Sequence, residues 1–196
     1  MIVAFTGAGI SKASGIPTFD EMGDLRTKLE RHFANTHPEE FQKIMETLSA
    51  TCEAAEPNDA HMALAEFNIP VITMNIDSLH KRAGTRHLIE VHGSLRDNNV
   101  VLYGDSAPGY TDAFEWVDRL HEGDILLVIG TSFYTSISSQ IRNFAEDGGA
   151  TIVVVNEDAE HKVRELLNQY RDSWEDFQSF EAREPMWIQR FIPYGY

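Results

Sequence analysis

Hydrophobic positions in this chain fall into short runs separated by stretches of helical periodicity. Ile2–Phe5, Val71–Thr73, Leu88–Val91, Val100–Tyr103, Ile125–Ile129 and Thr151–Val155 are mostly apolar and rich in β-branched residues. Each is followed by small or polar residues and then by a helical pattern. Strands alternating with helices predict an α/β fold, a Rossmann-like, doubly wound parallel sheet with helices on both faces. The last two runs are almost uninterrupted, which predicts strands buried on both faces. Asp24–Phe67 is too long for one crossover and predicts a small helical insertion punctuated by Pro38 and Pro57. Within it Leu25, Leu29, Phe33, Phe41, Ile44, Met45 and Leu48 recur mostly three and four apart, as a core-facing stripe requires. Asn58-Asp59 is the expected N-cap of a helix carrying Met62, Leu64, Ala65 and Phe67, closed off before Pro70. Helical periodicity resumes beyond Glu160 through Leu166 and Leu167, whereas Trp174–Tyr196 shows no readable pattern.

At 196 residues the chain has room for one domain, 1–196, with at most a small lid. A content of 42% hydrophobic and 10% aromatic residues supports a real core and argues against disorder. Charge narrows the partners: 16 Lys+Arg against 31 Asp+Glu give a net −15, a field that repels nucleic-acid phosphates and anionic lipid. No basic patch offsets it, so neither a nucleic acid nor a membrane is the expected partner. The single cysteine, Cys52, allows no intrachain disulfide and no zinc site built on paired thiolates. No bound metal is expected. The opening MIVAFTGAGIS has no leader pattern and no apolar run reaches the ~18–20 residues of a membrane span, so a cytoplasmic location is the expectation.

Chemistry-bearing residues follow the apolar runs. Thr6-Gly7-Ala8-Gly9-Ile10-Ser11 ends the first run, where glycines let backbone N–H groups approach a pyrophosphate at a helix N-terminus. Lys12 replaces the third glycine of the dinucleotide fingerprint, and no strand-end carboxylate follows ~20 residues on, which weakens a simple dehydrogenase reading. Asn75-Ile76-Asp77 ends the second run, at the carboxyl edge where parallel sheets bind ligands; in isolation an Asx turn with an N-cap explains it better. Glu90-Val91-His92-Gly93 delivers a histidine to the same edge, a candidate base. Gly130-Thr131-Ser132 and Asn156-Glu157 end the last two runs, with hydroxyls suited to phosphate and Asn or Glu suited to ribose. Any one of these edges could be helix capping. Their conjunction is the signal.

In order along roughly three quarters of the chain, these motifs resemble the sirtuin family, the NAD-dependent protein-lysine deacylases. Gly7-Ala8-Gly9-Ile10-Ser11 with Ser14-Gly15-Ile16-Pro17 and Phe19 are similar to its N-terminal cofactor motif. Asn75-Ile76-Asp77 resembles its nicotinamide pocket, His92-Gly93 its base segment, and Tyr103-Gly104-Asp105 its Phe-Gly-Glu strand end. Gly130-Thr131-Ser132 and Asn156-Glu157 resemble its phosphate and adenine-ribose contacts. The resemblance implies NAD as a consumed co-substrate and an acyl-lysine protein or peptide as partner. It implies Asp77 and Ile76 on the carboxamide, Asn75 ordering ribose and water, and His92 as base. The chain also departs from the family. Only Ser94–Asn99 lie between Gly93 and Val100, where the family carries a zinc module with two cysteine pairs. Thr18 and Asp20 replace the Asp and Arg around the first-loop Phe, Met74 replaces a Gln, and Thr135 and Ile137 stand for an apolar residue and a proline.

Three functions stay open on these residues. The first is a compact, zinc-free deacylase that moves the acyl group of an acyl-lysine to ADP-ribose. The second is an NAD hydrolase or ADP-ribosyltransferase, in which water or a protein side chain captures the sugar. The third is a non-catalytic sensor of NAD or ADP-ribose.

Overall fold

The computed structural model describes residues 1–18, 21–131, 136–170 and 176–186. Phe19, Asp20, Ser132, Thr135, Trp174 and residues 187–196, all singled out above, lie outside the described residues. Five strands form the sheet: β1 (Ile2–Thr6), β2 (Val71–Thr73), β3 (Leu88–Glu90), β4 (Ile125–Ile129) and β5 (Thr151–Val155). Their order is β3-β2-β1-β4-β5 and every pairing is parallel, the expected doubly wound arrangement. A 3₁₀ turn (Ala8–Ser14) follows β1. Then come α1 (Leu25–Lys28), α2 (Arg31–Thr36), α3 (Pro38–Ala54) and α4 (Asp59–Glu66). The remaining helices are α5 (Leu79–Ala83), α6 (Gly109–Asp118), α7 (Ser136–Asp147), α8 (Ala159–Gln169) and α9 (Phe177–Glu181).

Alternation along the strands divides the core in two. Ile2 and Ala4 of β1 with Ile125, Leu127 and Ile129 of β4 face α4 and α8, which contribute Ala60, Ala63, Leu64, Val163 and Leu167. Val3 and Phe5 with Leu126 and Val128 face Ala113 and Val117 of α6, Ile141 and Ala145 of α7, and Phe177 and Phe180 of α9. The described part of the aromatic tail therefore closes one face of the sheet. Arg183, just past α9, anchors it with a 2.5 Å ion pair to buried Asp124 at the start of β4.

The long connection from β1 to β2 splits by what it buries. Its last helix, α4, is capped by Asn58, whose side chain accepts from the Ala60 N–H, and packs on the sheet. The earlier helices form their own cluster, in which Leu25, Leu29 and Ala34 are buried with Leu102 against Phe41, Ile44, Met45 and Leu48. That cluster includes most of the predicted stripe. Pro38 opens α3 at its first turn rather than interrupting it, because the amide that proline lacks has no helical partner there.

Two expectations are corrected. Val100–Tyr103 is not a strand of the sheet; it runs against the insertion, where Tyr103 makes an isolated parallel bridge to Glu30. The Tyr103 N–H donates to Leu29 O at 3.0 Å, and the Arg31 N–H donates to Tyr103 O at 2.8 Å. An apolar run looks alike in sequence whether a sheet or a helical lid covers it. The other correction concerns β5, which is an edge strand. It pairs only with β4 among the described residues and leaves Val154 48% exposed, whereas β4 is buried throughout.

Candidate active site

Loops at the carboxyl ends of the strands are stitched together by backbone hydrogen bonds. The Met74 N–H donates to Thr6 O at 3.0 Å, joining β2 to β1, and the Val91 N–H donates to Thr73 O at 3.0 Å, joining β3 to β2. The Gly7 N–H donates to Ile129 O and the Gly9 N–H to Gly130 O, each at 2.9 Å, joining β1 to β4. The Gly130 N–H reaches Val155 O at 3.0 Å, and the Leu95 N–H reaches Ile76 O at 2.9 Å. Thus the residues around Gly7, Asn75, His92, Thr131 and Asn156 share one edge, and the connections leave in opposite directions between β1 and β4, where open α/β sheets bind nucleotides.

The first-loop glycines are demanded by loop-on-loop packing. A Cβ on Gly7 would lie 2.8 Å from Gly130 O, and one on Gly9 2.6 Å from Gly130 Cα. Gly130 itself has φ +63°, and a Cβ there would meet the Ile10 nitrogen at 2.2 Å. The amides of Gly7 and Gly9 are bonded to Ile129 O and Gly130 O at the end of β4. Asn156 is likewise engaged: its Oδ1 accepts from the Thr131 N–H at 3.1 Å and its Nδ2 donates to Thr131 O at 3.0 Å. Glu157 beside it is exposed.

Asn75 and Asp77 meet at Ser11. The Ser11 hydroxyl donates to Asp77 Oδ2 at 2.6 Å and accepts from Asn75 Nδ2 at 3.1 Å; that amide also lies 3.2 Å from Gly7 O. Asp77 Oδ1 accepts from the Leu79 N–H at 2.9 Å, an Asx turn opening α5. The capping interpretation is met at Oδ1, while Oδ2 is taken up by Ser11. Burial pushes the Asp77 carboxyl above its usual range, against the bonds from Ser11 and Leu79 that favour the anion.

Beneath this cluster lie two histidines that the sequence did not mark. His61 is fully buried; its Nδ1 sits 3.0 Å from Asn58 Oδ1 and its Nε2 3.5 Å from Ser11 Oγ. His80 Nε2 lies 3.0 Å from Thr6 Oγ1, and the two imidazole centroids are 4.8 Å apart. Burial lowers the His61 pKa to about 4, and burial followed by His61 holds that of His80 well below its ordinary value, so both rings are neutral at pH 7. The signal in the sequence was Asn58 three residues ahead of His61, which was visible only as a cap.

His92 stands half-buried at the end of β3, its pKa lowered by burial, and Tyr110 Oη lies 2.9 Å from its Nε2. A neutral imidazole at neutral pH is the form a base needs. The connection after it is closed on itself. Asn99 Oδ1 accepts from the Ser94 N–H at 2.8 Å, the Val101 N–H donates to His92 O at 2.9 Å, and Gly93 holds φ +66° with no space for a Cβ beside Asn99 O. Among the described residues no cluster of three His, Cys, Asp or Glu is arranged to hold a metal. Cys52 is buried, and burial, followed by the Asp77 charge, pushes its thiol up to about 12. Among the described residues no helix is long and apolar enough to cross a membrane.

A parallel α/β sheet with polar loops converging at its switch point defines a nucleotide-binding class of enzyme fold. Residues 7–99 match the Sir2 family. An NAD-dependent protein deacetylase of Bacillus cereus is 32% identical over 202 residues, covering 80% of this chain and 82% of the relative. An NAD-dependent protein deacylase of Thermococcus sibiricus is 30% identical over 207 residues, covering 79% and 80%. The chain belongs to the Sir2 family, the sirtuins. Among solved structures, a mutant Sir2 homologue in complex with ADP-ribose superposes with a TM-score of 0.79 at 26% identity, covering 88% of this chain and 92% of that one. A Sir2 protein bound to a propionylated peptide superposes at 0.75 with 25% identity, covering 86% and 92%.

Proposed function

We propose that this chain is an NAD-dependent protein-lysine deacylase whose catalytic domain spans 1–196, with a helical insertion over about 24–67. The observation that carries the reading is that Ser11, Asn75 and Asp77 meet in one hydrogen-bonded cluster while the neutral His92 follows β3 on the same carboxyl edge of the sheet. Named relatives and liganded structures of the same family support it. The donor set fits a nicotinamide nucleotide: a carboxylate and a backbone turn for a carboxamide, an amide for sugar and water, and an imidazole for a hydroxyl proton. When bound, NAD supplies an electrophilic sugar carbon by loss of nicotinamide. Asp77 and Ile76 would hold the carboxamide, Asn75 would order the ribose and water, and His92 would accept a ribose hydroxyl proton. Gly7, Ala8, Gly9, Gly130 and Thr131, with Asn156 and Glu157 beyond them, shape the phosphate and adenosine side; Phe19 and Ser132 are assigned to it from sequence.

The zinc ribbon of the family is absent in this reading. Six residues, Ser94–Asn99, replace it, and their self-capped turn together with the unpaired Cys52 supports a core that holds the base without metal. Elemental analysis of the purified protein checks this, and stoichiometric zinc would contradict it. The chain is proposed to work in the cytoplasm.

Nicotinamide release from NAD, measured with and without an acetyl-lysine peptide, tests the function. Peptide-dependent release is expected, and His92→Ala should reduce it at least a hundredfold, as loss of a positioned base does. Release without peptide would point instead to hydrolysis or ADP-ribosyl transfer, and no release to a sensor.

A further inference from the structure

The contact between Tyr110 and His92 is absent from every motif that marks the site. Tyr110 lies one residue inside α6, and its phenol reaches the imidazole edge-on: the ring centroids are 5.4 Å apart at 85°, with Oη 2.9 Å from Nε2. Such a contact requires the start of α6 to press against the end of β3, and Gly109 is what permits it. A Cβ there would lie 3.0 Å from Val91 Cα and 3.4 Å from Glu90 O. A glycine spacer, an edge-on ring and a hydrogen bond together hold His92 from α6.

We propose that Tyr110 is a positioning residue for His92, holding the imidazole through Nε2 and accepting a hydrogen bond from the imidazolium once His92 has taken a proton from the sugar hydroxyl. The role in turnover rests on the deacylase reading above; the contact does not. The proton balance is simple. In this proposal the neutral ring is the tautomer with its proton on Nε2, shared toward Tyr110 Oη, and the sugar proton would arrive at Nδ1, for which no hydrogen bond is found among the described residues. The phenol keeps its own proton throughout, since burial and then Tyr103 push its pKa up to about 12. A hydrogen bond donated by a cation is stronger than one donated by the neutral ring, so the contact favours the charged form and partly offsets the burial that lowers His92. Burial is the one cause of the lowered His92 pKa, and the carboxylates of the neighbouring segments are engaged elsewhere. Glu90 at the end of β3 has its carboxylate 3.5 Å from Lys81 of α5, and Asp105 is paired with Arg31 of α2.

The test is a pair of titrations on the full chain, comparing parent, Tyr110→Phe and Gly109→Ala. Histidine ¹³C resonances, with that of His92 assigned through His92→Gln, report the pKa of the ring directly. In Tyr110→Phe it should fall by about 0.5 to 1 pH unit, the difference expected between hydrogen bonds to charged and to neutral groups. The acid limb of kcat should move down with it, kcat should drop several-fold, and KM for NAD should stay unchanged. Gly109→Ala keeps the phenol but displaces it, and should shift His92 in the same direction by less; it replaces Tyr110→Phe should the latter fail to fold. Coincident His92 titrations in all three proteins, or a shifted titration with an unmoved acid limb, overturn the proposal. A parent that releases no nicotinamide defeats the deacylase reading instead, and the titration alone then decides whether Tyr110 holds the ring.

Discussion

Ser78 sits between the Asp77 carboxylate and the first turn of α5 with φ 61°, and its buried hydroxyl has no hydrogen-bond partner among the described residues. A serine in the left-handed region costs roughly 1 kcal/mol that glycine does not, and an orphaned hydroxyl adds a similar desolvation cost of about 1 kcal/mol. Glycine gives part of this back through the entropy of the unfolded chain. Ser78→Gly is therefore expected to stabilise the protein by about 1 kcal/mol in urea unfolding; a variant less stable than the parent would show that the hydroxyl is engaged. At this scale the sequence was informative wherever a polar residue followed an apolar run. Asn75, Asp77 and His92 were legible because a strand end is a fixed address in a parallel sheet. Tyr110 was not, because it is 18 residues from His92 and lies on a helix whose approach depends on the absence of a Cβ at Gly109.

Among elements, the helical insertion depends on a short stretch of chain that resembles a strand. Tyr103-Gly104-Asp105 grips it twice, through the backbone bridge at Glu30 and through Arg31, whose Nε and Nη2 donate to Asp105 at 2.8 and 2.6 Å. The Arg31 guanidinium holds the Asp105 carboxyl below its usual range. This pair is solvent-exposed, so its removal should act on local opening rather than on global stability. Asp105→Ala is expected to speed amide exchange in α1 and α2 while leaving exchange in β1 and β4 unchanged; equal protection in both proteins would mean that Leu102 and its apolar neighbours hold the insertion unaided. Strand and helix types were readable from period and composition. The partner of a four-residue apolar run was not, nor was the edge position of β5, since both are decided by what arrives from elsewhere in the chain.

On the scale of the whole molecule, the buried histidines tie stability to pH. The folded pKa of His61 is lowered from 6.5 to about 4. Between those values the unfolded chain binds a proton that the folded one excludes, and stability falls as pH falls through that window. His80 acts in the same direction, and Asp124 extends the loss below pH 3.8. There burial raises the carboxyl but is outweighed by bonds from Arg183, the Met1 amino group and the His121 N–H. Asp77, with its pKa raised, works the other way, contributing stability at low pH that is lost as it ionises. His61 alone corresponds to about 3 kcal/mol between pH 7 and pH 4. Urea unfolding at pH 7, 5.5 and 4.5 should show a steady decline; a flat profile would mean that water reaches these rings. Amino-acid order by itself determined the parallel sheet, its two helical layers and the five polar strand ends, because hydrophobic period and glycine placement act locally and leave few ways to cover a β-branched strand. Tertiary structure alone decided that Asn75 and Asp77 share Ser11, that His61 and His80 lie buried beneath them, and that a phenol faces the base. Each of those contacts joins residues far apart in the chain, and only packing of the sheet against its helices sets the distance between them.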